Sequence, residues 1–143
     1  MTSLENFIQY AEEFCFFVEN HRTIKGSDYS LWLEQVVGLY RCALELEYPS
    51  SVSNENDVEV NIHLSAESND FYWMLYNPLV LEEPVRGSLI DDIQDIYREI
   101  KKGIMFFQTN PAAALWEWKF GFDNHWGNHA VEAIRALHYM FRR

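Results

Sequence analysis

The stretch Ser88-Leu-Ile-Asp-Asp-Ile-Gln-Asp-Ile-Tyr-Arg-Glu-Ile-Lys-Lys-Gly-Ile-Met-Phe-Phe107 decides the fold class. Within it Leu89, Ile93, Ile96, Tyr97, Ile100, Ile104 and Phe107 recur at three- and four-residue steps, which places them on one face of an α-helix. Ser88 stands at the N-cap position, with Asp91 three residues on. Gly103 weakens such a helix without ending it.

Toward the C-terminus, Asn110-Pro111 is a restart signal, a capping residue followed by proline at the first helical position. From Ala112 to Phe141 the spacing of Leu115, Phe122, Trp126, Ala130, Ala133, Leu137 and Met140 predicts one long helix, with a kink at Gly121. Toward the N-terminus, Phe71 to Leu75 reads as one or two helical turns leading into the Pro78 to Pro84 connection. The segment around 49–69 is rich in Ser, Asn, Glu and Asp and predicts a mobile acidic loop, with one short strand as the alternative at Val58 to Ile62. Earlier still, Thr2 and Glu5 form a capping box ahead of Leu4, Phe7, Ile8, Ala11, Phe14, Cys15 and Val18. A second helix, capped by Ser27 or Asp28, carries Leu31, Val36, Val37, Tyr40, Ala43, Leu44 and Leu46 and stops at Tyr48-Pro49. The expected architecture is all-α. It is one domain over residues 1–143, an antiparallel bundle of four long helices plus a short one.

Composition narrows the function classes. The chain has 143 residues, 48 % of them apolar and 16 % aromatic, which excludes disorder and collagen-like assembly. Its net charge of −11 argues against nucleic acid and anionic membrane as partners, because both need clustered Lys and Arg. The acids are uneven. Residues 1–60 hold 11 acids and 3 bases (−8), and residues 61–143 hold 11 and 8 (−3). The start carries Glu5, Glu12 and Glu13 and no basic region, so no secretory signal is read there. The densest apolar run, Phe14 to Val18, is too short to span a bilayer. Cys15 and Cys42 read as reduced thiols in helices, with no CxxC to suggest zinc. A cytoplasmic location is expected.

Two clusters can carry chemistry. His125 and His129 are four apart, a spacing that lets two imidazoles approach one ion, and Asp92, Asp95 and Glu99 form a carboxylate stripe on the preceding helix. If the two flanks meet, His125, His129, Asp92 and Asp95 can hold a divalent transition metal with open positions. The alternative is that both histidines are interface polar groups bonded to those acids or to backbone. Near them Leu115 to Gly127 contains Trp116, Trp118 and Trp126. Trp126 lies on the core stripe, whereas Trp116, beside Glu117, points away and can line a pocket. There is no nucleophile elbow and no glycine-rich phosphate loop, so no catalytic residue is assigned and no cofactor is expected.

The blocks running from Gly87 to Lys101, and from Ala114-Leu-Trp-Glu-Trp118 through His125-Trp-Gly-Asn-His129-Ala130, are similar to a bacterial family of uncharacterised helical proteins, the domain of unknown function 5063 family. The resemblance covers most of the chain and is strongest from Gly87 to His138. It implies a bacterial, cytoplasmic, all-helical protein and transfers no catalytic role. It directs attention to Asp92, Asp95, Trp116, Glu117, His125, Trp126 and His129 as the candidate polar cluster or pocket.

The leading expectation for function is a non-enzymatic interaction module whose acidic front half binds a basic protein, in the manner of an antitoxin or immunity protein. The alternative is a metal-dependent enzyme or small-ligand binder built on His125, His129, Asp92 and Asp95.

Overall fold

A computed structural model describes residues 1–52 and 55–143. Five helices dominate: α1 (Ser3–Glu19), α2 (Tyr29–Ala43), α3 (Leu89–Phe107), α4 (Pro111–Asn124) and α5 (Trp126–Arg142). Two small sheets accompany them, so the fold is mostly helical rather than purely so. β1 (Thr23–Ile24) pairs in parallel with β2 (Ser65–Ala66), and β3 (Phe71–Met74) pairs antiparallel with β4 (Val85–Ser88). A single 3-10 turn at Gly26–Asp28 leads into α2. No described helix is long and apolar enough to cross a membrane.

The capping signals act as expected. Thr2 accepts from the Glu5 amide while the Glu5 side chain accepts from Thr2, and Ser88 and Asn110 accept from the Asp91 and Ala113 amides. Helix α1 buries Phe7, Ala11, Phe14, Cys15 and Val18, five positions of the predicted stripe. Both cysteines are free, and burial pushes the Cys15 thiol up to about 12, so it is an inert apolar filler.

Three expectations are corrected. First, the predicted helix over 112–141 is two helices, so there are five rather than four long ones. The chain breaks at His125 (φ −146°, ψ −77°), four residues beyond the glycine where a kink was expected. Gly127 makes that break possible: a Cβ there would collide with the Phe122 carbonyl, so only glycine lets the start of α5 lie against the end of α4. Second, Phe71–Met74 is a strand. Its aromatic residues suit a pleated surface, and the partner β4 arrives from eleven residues further on, which local periodicity cannot register. Third, α2 ends at Ala43, before Tyr48, and its buried face is Trp32, Val36, Leu39 and Ala43, with Leu31, Val37 and Leu44 exposed. Apolar residues on both sides of this helix left its phase ambiguous.

The polar segment is a loop without regular secondary structure over 55–64, as expected, and it lies against the core. Its residues 53 and 54 lie outside the described ones. Beyond them, Ile62 is fully buried, and Val58, Val60 and Leu64 pack against the core without a sheet partner. Lys102 pairs with Asp57, and the Leu64 amide donates to the Gln94 side chain at 2.9 Å. The alternation at 58–62 is thus a packing pattern, not a strand.

Helix α3 is central, packing on α1, α4 and α5, while α2 packs on α1 and α5. The core between them holds Phe7, Trp118 and Trp126, with the Phe7 and Trp118 rings edge to face at 5.0 Å. Both indole N–H groups donate to backbone, Trp118 to the Ile100 carbonyl (3.1 Å) and Trp126 to the Trp118 carbonyl (3.0 Å). The same packing brings the polar flank of α3 against the first turn of α5.

Candidate functional site

On α3 the acids Asp92, Asp95 and Glu99 follow at i, i+3 and i+7, just off the apolar stripe, so they project along one edge of the helix. Helix α5 presents His129 to that edge, and the break between α4 and α5 presents His125. The two imidazole rings stand edge to face, 4.8 Å between centroids. His129 bridges two acids: Nδ1 lies 2.8 Å from Asp92 Oδ1 and Nε2 lies 3.1 Å from Asp95 Oδ2. His125 bonds through Nδ1 to Glu99. Asp92, only 4 % exposed, also accepts from the Tyr72 hydroxyl on β3. The result is a chain from strand to helix to helix, Tyr72–Asp92–His129–Asp95, with His125–Glu99 beside it.

Burial sets the electrostatics. Desolvation raises the Asp92 carboxyl above the usual carboxylate range, and the hydrogen bonds from His129 and Tyr72 offset only part of that rise. Glu99 is raised for the same reason, with His125 opposing. His129 moves up because its hydrogen bond to Asp92 favours the imidazolium more than burial disfavours it. The Tyr72 hydroxyl is pushed far up by burial and by Asp92, so it stays a proton donor to that acid.

Ligand atoms of Asp95, His125 and His129 all lie within 4.8 Å of one another. A four-coordinate ion with bonds of about 2.1 Å spaces its ligands roughly 3.4 Å apart, so modest side-chain rotations close this trio around one ion. The side chain of His125 is 54 % exposed, which leaves the trio open to solvent on one side.

Of the seven residues singled out in the sequence, Asp92, Asp95, His125 and His129 come together. Trp126 is fully buried in the core next to them. Trp116 stacks on Phe120 at 4.6 Å, and no hydrogen bond, ion pair or ring contact among the described residues joins Trp116 or Glu117 to the cluster. The deeply buried tryptophan of α4 is Trp118. Tyr72 is the member that sequence reasoning missed. It arrives on a strand read as helix, 20 residues before its partner, and no local signal ties the two.

These features define a mostly helical domain with two small sheets and a His–carboxylate cluster between α3 and α5. The chain belongs to the DUF5063 family, described as a domain of unknown function, whose model matches residues 2–142. Protein BF1032 from Bacteroides fragilis, known from a crystal structure, shares the fold. It is 23 % identical, with a TM-score of 0.74 over 96 % of this chain and 90 % of that one. The search of curated proteins finds no match.

Proposed function

We propose that this protein binds a divalent transition metal through Asp95, His125 and His129, in a centre that keeps a position open for an exogenous ligand. The observation that carries this reading is the orientation of the two imidazoles. Each engages a carboxylate through Nδ1, His129 with Asp92 and His125 with Glu99, while His129 Nε2 faces Asp95 Oδ2, the third ligand of the trio, at 3.1 Å, and no hydrogen bond or ion pair among the described residues engages His125 Nε2. Metal-ligating histidines are held in this way, because an acid on one ring nitrogen fixes the tautomer and raises the basicity of the other. Two imidazoles and one carboxylate suit zinc or a non-haem iron class of ion. Tyr72 supports the outer layer by donating to Asp92.

Metal analysis of the purified protein, followed by calorimetric titration of the stripped protein with Zn²⁺, Mn²⁺ and anaerobic Fe²⁺, tests this. We expect about one ion per chain, and loss of uptake in the double variant His125→Gln/His129→Gln with the helical circular dichroism unchanged. If the wild-type protein takes up no ion, or the double variant takes up as much, the cluster is a hydrogen-bonded network that joins α3 to α5 and nothing more.

A second reading rests on a different face. Glu5, Glu12 and Glu13 on α1 and Glu34 on α2 are exposed, as are Glu45 and Glu47 just after it, and no ion pair among the described residues involves any of them. Glu19, also on α1, is held by the Tyr97 hydroxyl (2.6 Å) and Lys101 (3.0 Å) and is structural. Six exposed carboxylates outside any ion pair among the described residues suit a basic protein partner, and the antitoxin or immunity role belongs to this reading. Association with such a partner is expected to slow steeply toward 0.5 M salt, where the Debye length is roughly 4–5 Å, and to slow in Glu5→Lys/Glu12→Lys/Glu13→Lys. A partner captured from the host that binds equally fast at high salt would remove the acidic face from consideration.

A further inference from the structure

A groove of about 1030 Å³ runs between β3 and α5, with Tyr72 among its lining residues but neither histidine of the cluster. Small-molecule sites span roughly 300–1,000 Å³, so this one can take a ligand of ordinary metabolite size. Its walls are aromatic and thioether-rich: Tyr72, Trp73 and Met74 of the strand and Tyr139 and Met140 of the helix line it. Trp73 is 71 % exposed and Tyr139 57 %, large flat surfaces that the fold itself leaves uncovered.

Charge selects the ligand. The chain as a whole has 22 acids and 11 Lys and Arg, yet the groove is lined by two arginines, Arg135 and Arg143, and one acid, Glu132. Arg143 lies over the Tyr139 ring at 5.4 Å. Arg135 has no hydrogen bond, ion pair or ring contact among the described residues, and Glu132, three positions earlier on α5, does not pair with it. An uncommitted guanidinium at the edge of an apolar cleft presents two parallel N–H donors, which match a carboxylate. A phosphate dianion would bring a second charge toward Glu132 and is disfavoured there.

We infer that this groove binds a small organic carboxylate, its flat or aliphatic body lying between Trp73 and Tyr139 and its carboxylate held by Arg135. Asp95, His125 and His129 do not line the groove, so the inference stands apart from the metal reading and does not fall with it.

Calorimetry with phenylacetate and octanoate as probes, and with phenylacetamide and octanamide as uncharged counterparts, tests it directly. Each carboxylate is expected to bind about tenfold more tightly than its amide, the worth of a charge-assisted hydrogen-bond pair. Arg135→Gln, on an exposed position that leaves the melting temperature unchanged, brings carboxylate down to the amide level. Trp73→Ala weakens both kinds of probe alike. The inference is overturned if none of the four binds, if acids and amides bind equally, or if Arg135→Gln keeps the preference. It is also overturned if the protein is a dimer in sedimentation that Trp73→Ala dissolves, because a second copy then occupies the groove.

Discussion

Gly103→Ala is expected to destabilise the protein by roughly 3 kcal/mol, lowering its melting temperature by on the order of 10 °C. Gly103 is buried on α3 where α4 crosses, and a Cβ built there runs into the indole of Trp118. The indole cannot swing aside cheaply. It is fully buried, stands edge to face with Phe7, and donates its N–H to the carbonyl of Ile100, one turn before Gly103 on the same helix. An added methyl therefore either separates the two helices or breaks that hydrogen bond while leaving the indole buried, and each route costs more than the gain in helix propensity, which is about 1 kcal/mol for glycine to alanine. Urea unfolding measures the loss. Combining Gly103→Ala with Trp118→Phe supplies the control, because two residues competing for one space give a double variant less destabilised than the sum of the singles. A Gly103→Ala protein as stable as the parent would mean that α3 and α4 are further apart than described.

The second large effect belongs to Asp92. Its two oxygens accept from two donors, Tyr72 Oη and His129 Nδ1, with the side chain 6 % exposed. Asparagine keeps one oxygen and replaces the other with a donor, so Asp92→Asn leaves two donors competing for one acceptor and is expected to cost about 2 kcal/mol in the metal-free protein. It also changes the pH dependence. In the folded protein the His129 imidazole sits above its ordinary value of 6.5, with the Asp92 hydrogen bond as the largest cause. A base held above its unfolded value contributes stability that is complete below that value and disappears as pH rises through the folded one. Asp92 itself is raised, so near and above the ordinary carboxylate value it too makes stability fall with rising pH. The parent, kept in chelator, is therefore expected to lose stability from about pH 6 upward, and the Asp92→Asn protein to lose much less over the same window. Unfolding midpoints at several pH values decide it. A parent whose stability is flat or rises through that window contradicts the raised imidazole. Unequal unfolding slopes m between the two proteins would instead show that the unfolded states differ.

Helix starts were legible because capping is local: Thr2, Ser88 and Asn110 each act on an amide three residues away, within reach of their own side chains. The buried faces of α1 and α3 were legible because their apolar residues keep to one side. So were the Asp92–Asp95–Glu99 stripe and the His125–His129 spacing, and these set out five members of the cluster in advance. Everything that joins distant segments had to wait for the tertiary structure. The pairing of Phe71–Met74 with Val85–Ser88 is a choice between strand and helix that only the partner settles, and it alone delivers Tyr72 to Asp92. The break at His125 depends on Gly127 lying against the Phe122 carbonyl, a close approach with no signature in periodicity. The segment after Pro49 is the loop its composition predicts, but its seating on the core was not legible, because its polar residues outnumber its apolar ones. Yet four side chains, Val58, Val60, Ile62 and Leu64, suffice to seat it on the core, because burial is decided by the surface a segment meets and not by its average composition.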